Sequence, residues 1–366
     1  MKQWTEVWAA FPTLLAERLE RGAGRFPAPV EEIRLRQGRP LMLVGGGQDR
    51  AVTETGDLTR DLRQAYLATA DDLARTVQLL SQNSLYAWED EIRQGFLTLP
   101  GGHRAGLTGR AVVEQGRVRT LKQVSGICLR LAREVRGAAD GVLQSLRASW
   151  QGPRPPNLLL FSAPQGGKTT VLRDLVRQYS SGAAVPGLPG LKVGLVDERC
   201  ELAASFCGVP QLDVGPRTDV LDACPKAEGL MMLIRSMSPE VVATDEIGRP
   251  EDGLAVQEAL GAGVTVIATA HGGSLAELAR RPVLRDLLAM GAFDAAAMLG
   301  RSRGPGTVEG VWLLAEEAGR IALAEGVGQP AGDSGQCRQR AAGGFELPAA
   351  ATGIGRPAIR AAALGD

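Results

Sequence analysis

The sequence predicts an α/β protein whose larger part is a parallel sheet with helices on both faces, preceded by a smaller α+β domain. Three observations predict it. From residue 157 onward, short apolar runs alternate with helix-length segments, as strand–helix–strand units do. Two of those runs end in residues built for chemistry, a Gly-Gly-Lys-Thr-Thr turn at 166–170 and an Asp-Glu pair at 245–246. Before residue 150, short strand candidates with Gly-rich turns mix with helical stretches.

The first elements follow from periodicity. Residues 4–19 have the apolar spacing of a helix. Residues 33–36 (Ile-Arg-Leu-Arg) and 41–44 (Leu-Met-Leu-Val) flank Gly38 and Pro40, which predicts two short strands about a turn. Leu73, Val77 and Leu80 share one helical face within 70–81. Residues 96–99, 111–113 and 127–131 are strand candidates, with turns at Gly101-Gly102 and Gly106. Residues 136–149 read as a helix. Residues 151–156 (Gln-Gly-Pro-Arg-Pro-Pro) form a stiff linker, since proline cannot continue a helix. The expected boundaries are therefore an N-terminal domain over 1–150 and a linker over 151–156.

The core spans 157–325. Strands at 158–161, 193–196, 241–244 and 264–268 are followed by helical segments at 170–179, from 202 onward, at 252–260 and at 275–288. From Gly326 the chain is rich in Gly, Ala, Pro and Gln without periodicity, which predicts a disordered tail over 326–366.

Composition narrows the function. The 366 residues carry 41 Lys+Arg against 41 Asp+Glu, so a polyanion-coating protein is disfavoured. At 44% hydrophobic residues there is ample material for a core, yet no run reaches the roughly 18 apolar residues of a membrane helix. Residues 1–11 are polar and include Glu6, unlike a secretory signal. The expectation is a cytoplasmic protein, peripheral at a membrane only through a partner. Five cysteines, odd in number and without a C-x-x-C pair, argue against a zinc site or a disulfide framework, with only His103 and His271 to join them. Five of the 41 basic residues are Lys, so a Lys in a special place is unlikely to be there by accident.

Lys168 holds such a place. An apolar run enters Ser162-Ala163-Pro164-Gln165-Gly166-Gly167-Lys168-Thr169-Thr170, and an amphipathic helix follows. This is the strand–loop–helix context of a Walker A loop, with Ser162 in the place of its first Gly. Gly166 and Gly167 let successive N–H groups curl inward around phosphate oxygens, and the helix points its positive end at the anion. Lys168 would bridge the β- and γ-phosphates of ATP, and the Thr169 hydroxyl would ligate Mg²⁺. Ser162 costs freedom if that position needs φ > 0. The plainer alternative is a Gly-rich turn that merely joins a strand to a helix.

A β-branched strand then ends in Asp245-Glu246-Ile247-Gly248, the Walker B form. Asp245 would hold Mg²⁺ through water and Glu246 would polarise the attacking water. Taken alone, the pair also fits a helix N-cap with a first-turn acid. The next strand ends in Thr269 and His271, where a histidine can sense the γ-phosphate or contact a neighbouring subunit, or simply cap a strand end. Between these lie Asp197-Glu198-Arg199, again at a strand end, Arg217 on a loop forced by Gly215-Pro216, and Arg235 on a helix at 231–237. Arg217 and Arg235 can clamp phosphate or reach across an interface, although salt bridging at the surface is the commoner fate.

In order and spacing, Ser162 through Thr170, Asp197-Glu198-Arg199, the Arg217 loop through Cys224-Pro225-Lys226, Asp245-Glu246 and Ala270-His271-Gly272 resemble the type II/IV secretion ATPases, and within them a branch that serves endospore formation. Glu32 through Pro40 and Gly101 through Gly106 share the likeness, which covers about residues 30–315. The resemblance implies a RecA-like core, a hexamer with ATP at subunit interfaces, and a membrane-bound sporulation channel component as partner. It also implies an Asp-box role for Asp197, Glu198 and Arg199 and a His-box role for His271. Two alternatives stay open. Arg34, Arg36, Arg39, Arg104, Arg110, Arg117 and Arg119 in β-rich surroundings would suit a nucleic-acid-binding ATPase, although aromatics are only 4% of the chain and stacking platforms are few. The plain reading of those arginines is solvated faces and salt bridges to Glu89, Asp90 and Glu91. A nucleotide-dependent assembly scaffold with little turnover is the other.

Overall fold

The computed structural model describes residues 5–81, 96–152, 154–184, 189–317, 320–323 and 345–346. The chain opens with α1 (Thr5–Trp8) and α2 (Thr13–Gly24), not with one helix over 4–19. Pro12 stands at the N-cap of α2, and its ring cannot be accommodated by a preceding helical turn. Strands β1 (Glu32–Arg36), β2 (Met42–Gly45), β3 (Gln48–Val52) and β4 (Leu58–Thr59) follow. Helix α3 (Ala70–Leu80) starts at a capping box in which Thr69 and Asp72 satisfy each other's backbone N–H. Then come β5 (Phe96–Thr98), β6 (Arg104–Glu114) and β7 (Arg117–Arg130). Gly106 lies inside β6 opposite Cys128 and is not a turn; the reversal falls at Gln115-Gly116, both with positive φ.

Next are α4 (Asp140–Ser149), β8 (Leu158–Ser162), α5 (Lys168–Ser181), β9 (Val193–Asp197), β10 (Thr218–Asp222), α6 (Lys226–Met237), β11 (Val241–Thr244), α7 (Pro250–Gly261) and β12 (Thr265–His271). The chain continues through α8 (Leu275–Leu278), α9 (Pro282–Ala289), β13 (Ala295–Gly300), β14 (Thr307–Glu317), β15 (Arg320–Leu323) and β16 (Phe345–Glu346). Apart from β16, the expected tail over 326–366 lies outside the described residues, as do Glu89, Asp90 and Glu91.

The chain forms two compact units, Met1–Ala139 with Thr169–Asp245, and Asp140–Lys168 with Glu246–Asp366. The first holds an antiparallel sheet in the order β4-β3-β2-β1-β7-β6-β5, with Ile33, Leu35, Leu43, Leu97 and Leu129 buried in its core. It also holds the parallel set β10-β9-β11, in which Asp222 pairs with Asp197 and Thr244 with Val196, so that the three carboxyl ends are level. The helix expected from residue 202 is absent. The Asp197 carboxylate instead accepts the N–H groups of Glu201, Leu202 and Ala203 at 2.8–2.9 Å, which turns the chain back on itself.

In the second unit β8 lies between β12 and β13, parallel to both, and β13, β14, β15 and β16 continue as an antiparallel run. The expected helix over 275–288 splits into α8 and α9 because Pro282 restarts it at N1. The strand β13 begins Ala295-Ala296-Ala297, which carries no strand preference of its own; burial between β8 and β14 makes it a strand. The α/β class with mostly parallel core strands is the one observed.

Candidate active site

The Gly-rich loop leaves β8 at Ser162, whose side chain is buried and whose hydroxyl donates to the Ala163 carbonyl at 2.6 Å. Ala163, Pro164 and Gln165 are exposed and Gly166 is buried. Both glycines are required by contact. A Cβ on Gly166 would come within 2.3 Å of Ser162 Oγ, and one on Gly167 within 2.4 Å of the Gly306 nitrogen. Gly167 also has φ +88°, a conformation glycine adopts without strain. The reversal between β13 and β14 braces the loop: Gly306 N–H donates to the Gly166 carbonyl at 2.9 Å, and Arg301 reaches the Gln165 amide at 3.4 Å. Ser162 is not among the positive-φ residues, so the substitution of Ser for Gly carries no left-handed strain; that falls on Gln165, at φ +61°.

Helix α5 begins at Lys168, so its unpaired first-turn N–H groups face the loop. The Lys168 ammonium is buried and donates to three neutral acceptors: the Ser162 carbonyl at 3.3 Å, Ser162 Oγ at 3.2 Å and His271 Nδ1 at 2.9 Å. Burial lowers its pKa below that of an ordinary lysine, and Arg281 adds to that, while Glu246 opposes it. With Nδ1 accepting, the His271 ring carries its proton on Nε2, which lies 3.2 Å from Glu246 Oε1. Lys168, His271 and Glu246 thus form one chain of contacts. Glu246 sits at φ +34° and is held by Thr269, whose Oγ1 accepts its N–H at 2.8 Å and whose carbonyl accepts that of Ile247 at 2.8 Å.

The other compact unit presents a row of acids. Asp222, Asp197 and Asp245 stand at the carboxyl ends of β10, β9 and β11. Asp197 is consumed by its three backbone N–H groups. Asp245 Oδ1 is buried without a hydrogen-bond partner, and Lys226 Nζ lies 3.8 Å away while ion-pairing with Glu198. Burial pushes the Asp245 carboxyl up to about 6, although Lys226 pulls the other way. A buried carboxylate oxygen with nothing bonded to it fits a hard divalent cation. Among the described residues no group of three or more His, Cys, Asp or Glu is placed to hold a metal. Mg²⁺ binds proteins through one or two carboxylates and takes its remaining ligands from phosphate and water.

The remaining expected residues are scattered. Thr169 lines a cavity of about 240 Å³ with Arg104, Arg130, Arg133 and Arg173, and the half-buried Thr170 lines a smaller one with Arg173. Arg217 caps the C-terminal end of α5, donating to the Ser180 carbonyl at 3.0 Å, far from that helix's first turn. Arg235 is exposed in the last turn of α6. Of the arginines considered for nucleic acid, Arg34 pairs with Glu32, Arg104 with Glu201 and Arg119 with Glu114. Sequence reasoning passed over Arg130, Arg133 and Arg301, and it named Lys226 only within the Cys224-Pro225-Lys226 likeness, without a role.

A family model described as sporulation stage III, protein AA matches residues 13–320. The chain belongs to that family. Stage III sporulation protein AA of Bacillus subtilis (strain 168) is 45% identical over 284 residues, which cover 77% of this chain and 86% of that one. Among solved structures, the Legionella pneumophila ATPase DotB aligns with a TM-score of 0.48 at 14% identity, over 78% of this chain and 75% of its own. The pilus retraction motor PilT with bound ADP gives 0.45 at 16% identity, over 74% of each chain. At that distance the functional reading rests on the residues of the chain itself. Among the described residues no helix is long and apolar enough to cross a membrane.

Proposed function

We propose that this member of the sporulation stage III AA family binds ATP with Mg²⁺ and hydrolyses it, as a cytoplasmic motor for a membrane-associated sporulation channel complex. In this reading residues 157–325 act as the catalytic domain and the working assembly is a hexamer. The observation that carries the reading is Lys168, a buried ammonium at the mouth of a P-loop with three neutral acceptors around it. A phosphate supplies the negative charge that this environment lacks.

The loop from Ser162 to Gly167 and the first turn of α5, including Thr170, cradle the triphosphate with backbone N–H groups. Thr169 and Asp245 hold the metal. Bound there, Mg²⁺ draws charge from the phosphate oxygens. Lys168 turns from Ser162 and His271 to the β- and γ-phosphates. His271 Nδ1 then loses its donor, and the contact between Nε2 and Glu246 loosens. Glu246, already aimed by Thr269, is freed to take a proton from the attacking water. Glu198 acts through Lys226. Arg235 serves a neighbouring subunit, and Arg217 joins it only by leaving its helix cap.

Sizing the full chain with and without Mg-ATP while measuring phosphate release tests this. A nucleotide-dependent hexamer that releases phosphate is the expected result. A monomer that never hydrolyses contradicts the reading, and a hexamer that forms without phosphate release points to the scaffold.

A further inference from the structure

Lys226 has no part in the P-loop, yet it is one of only five lysines and is buried at the first position of α6. Burying an ammonium is costly, and a nearby negative charge offsets that cost. Its Nζ ion-pairs with Glu198 and stands 3.8 Å from the Asp245 oxygen that no donor reaches. Asp222 Oδ1, at the end of the neighbouring strand, is likewise buried without a hydrogen-bond partner. Lys226 supplies a positive charge between Glu198 and Asp245, whose Oδ1 no donor reaches.

The geometry points to Lys226 as a tethered counter-ion of the metal site, holding the cation position beside Asp245 until Mg²⁺ arrives with nucleotide and takes it over. This rests on the proposed role of Asp245. Lys226 is a positioning residue: it touches Glu198 and Asp245, not the reacting atoms. Two consequences follow from its charge. It keeps the acid edge stable without metal, and it keeps that edge from capturing a divalent cation in the absence of nucleotide. At 3.8 Å a fixed positive charge opposes a second cation strongly even at a moderate effective dielectric.

The test is Mn²⁺ binding to the nucleotide-free full chain, read by electron paramagnetic resonance. Lys226→Gln is expected to bind Mn²⁺ at least about tenfold more tightly than the unsubstituted protein, a conservative reading of the Coulomb term. Lys226→Arg, which keeps the charge, stays near the unsubstituted value. Adding Asp245→Asn to Lys226→Gln abolishes the gain. Equal affinity in Lys226→Gln and the unsubstituted chain overturns the inference, and so does a gain that survives Asp245→Asn. If Lys226→Gln fails to fold, Glu198→Gln replaces it. That change leaves Lys226 to Asp245 alone, so Mn²⁺ binding in the presence of nucleotide must weaken; undiminished binding overturns the inference. Fluorescent-nucleotide binding in chelator is measured alongside. Its loss in every protein condemns the ATPase reading, while the Mn²⁺ comparison still judges Lys226.

Discussion

Lys168 and Lys226 are both buried, at 8% and 6% exposure, yet their surroundings are opposite. Lys168 meets two oxygens of Ser162 and a ring nitrogen, with Glu246 held beyond the imidazole. Lys226 meets Glu198 directly and faces Asp245. The contacts of one ammonium are all uncharged, and the other lies between two carboxylates, one of which has a buried oxygen that no donor reaches. In the proposed reading the first neighbourhood receives an anion and the second a cation. The difference shows that neighbours along the chain take distinct tasks from their environments, not from their residue types.

The largest expected effect removes the first neighbourhood's charge. Lys168→Ala should cut phosphate release by about 10³-fold, the scale for losing a fixed electrostatic stabiliser. Unchanged turnover would erase the distinction between the two lysines.

Next comes the second neighbourhood's carboxylate. Burial raises the folded-state pKa of Asp245 to about 6, above the ordinary aspartate value of 3.8, so the native carboxyl binds a proton more readily than the unfolded chain does. With metal chelated, the protein should lose stability as the pH rises from about 4 to about 6, by at most about 3 kcal/mol. Asp245→Asn should abolish that slope in thermal melts and leave the metal-free protein more stable at pH 7. A slope that persists in the variant would place the perturbed group elsewhere.

Smaller effects sharpen the first neighbourhood. Thr269→Val removes the hydroxyl that fixes the Glu246 N–H and should lower kcat about tenfold with nucleotide affinity kept, the equivalent of about 1.4 kcal/mol and within the range of a net hydrogen bond. A kcat equal to that of the unsubstituted enzyme would show that Thr269 does not aim Glu246. Smallest of all, Ser162→Gly restores the usual loop residue and deletes one of three Lys168 acceptors. It should change nucleotide affinity by no more than about fivefold in titration. A larger change would mean that Ser162 Oγ sets the position of the ammonium.

Much of this was legible in the residues, because chemistry at strand ends leaves a local signature. Gly166, Gly167 and Lys168 after an apolar run, and Asp245-Glu246 after a β-branched one, announce a loop and an acid pair without any knowledge of partners. What stayed hidden depends on contacts between distant positions. The sequence around Gly306 does not disclose that its backbone braces Gly166, and Lys226 looks like an ordinary helix start until Glu198 and Asp245 flank it. In place of the helix expected from residue 202, the chain folds about Asp197, which accepts the N–H groups of Glu201, Leu202 and Ala203, a contact the sequence does not disclose. The all-alanine opening of β13 is a strand only by virtue of its neighbours.

The most direct measurement pairs nucleotide binding with phosphate release in Glu246→Gln. The account predicts that this variant binds Mg-ATP as tightly as the unsubstituted chain but releases phosphate at least about a hundredfold more slowly, since the water loses its base while the loop and Asp245 are intact. Phosphate release at the unsubstituted rate, or an unsubstituted chain that binds no nucleotide at all, would contradict it.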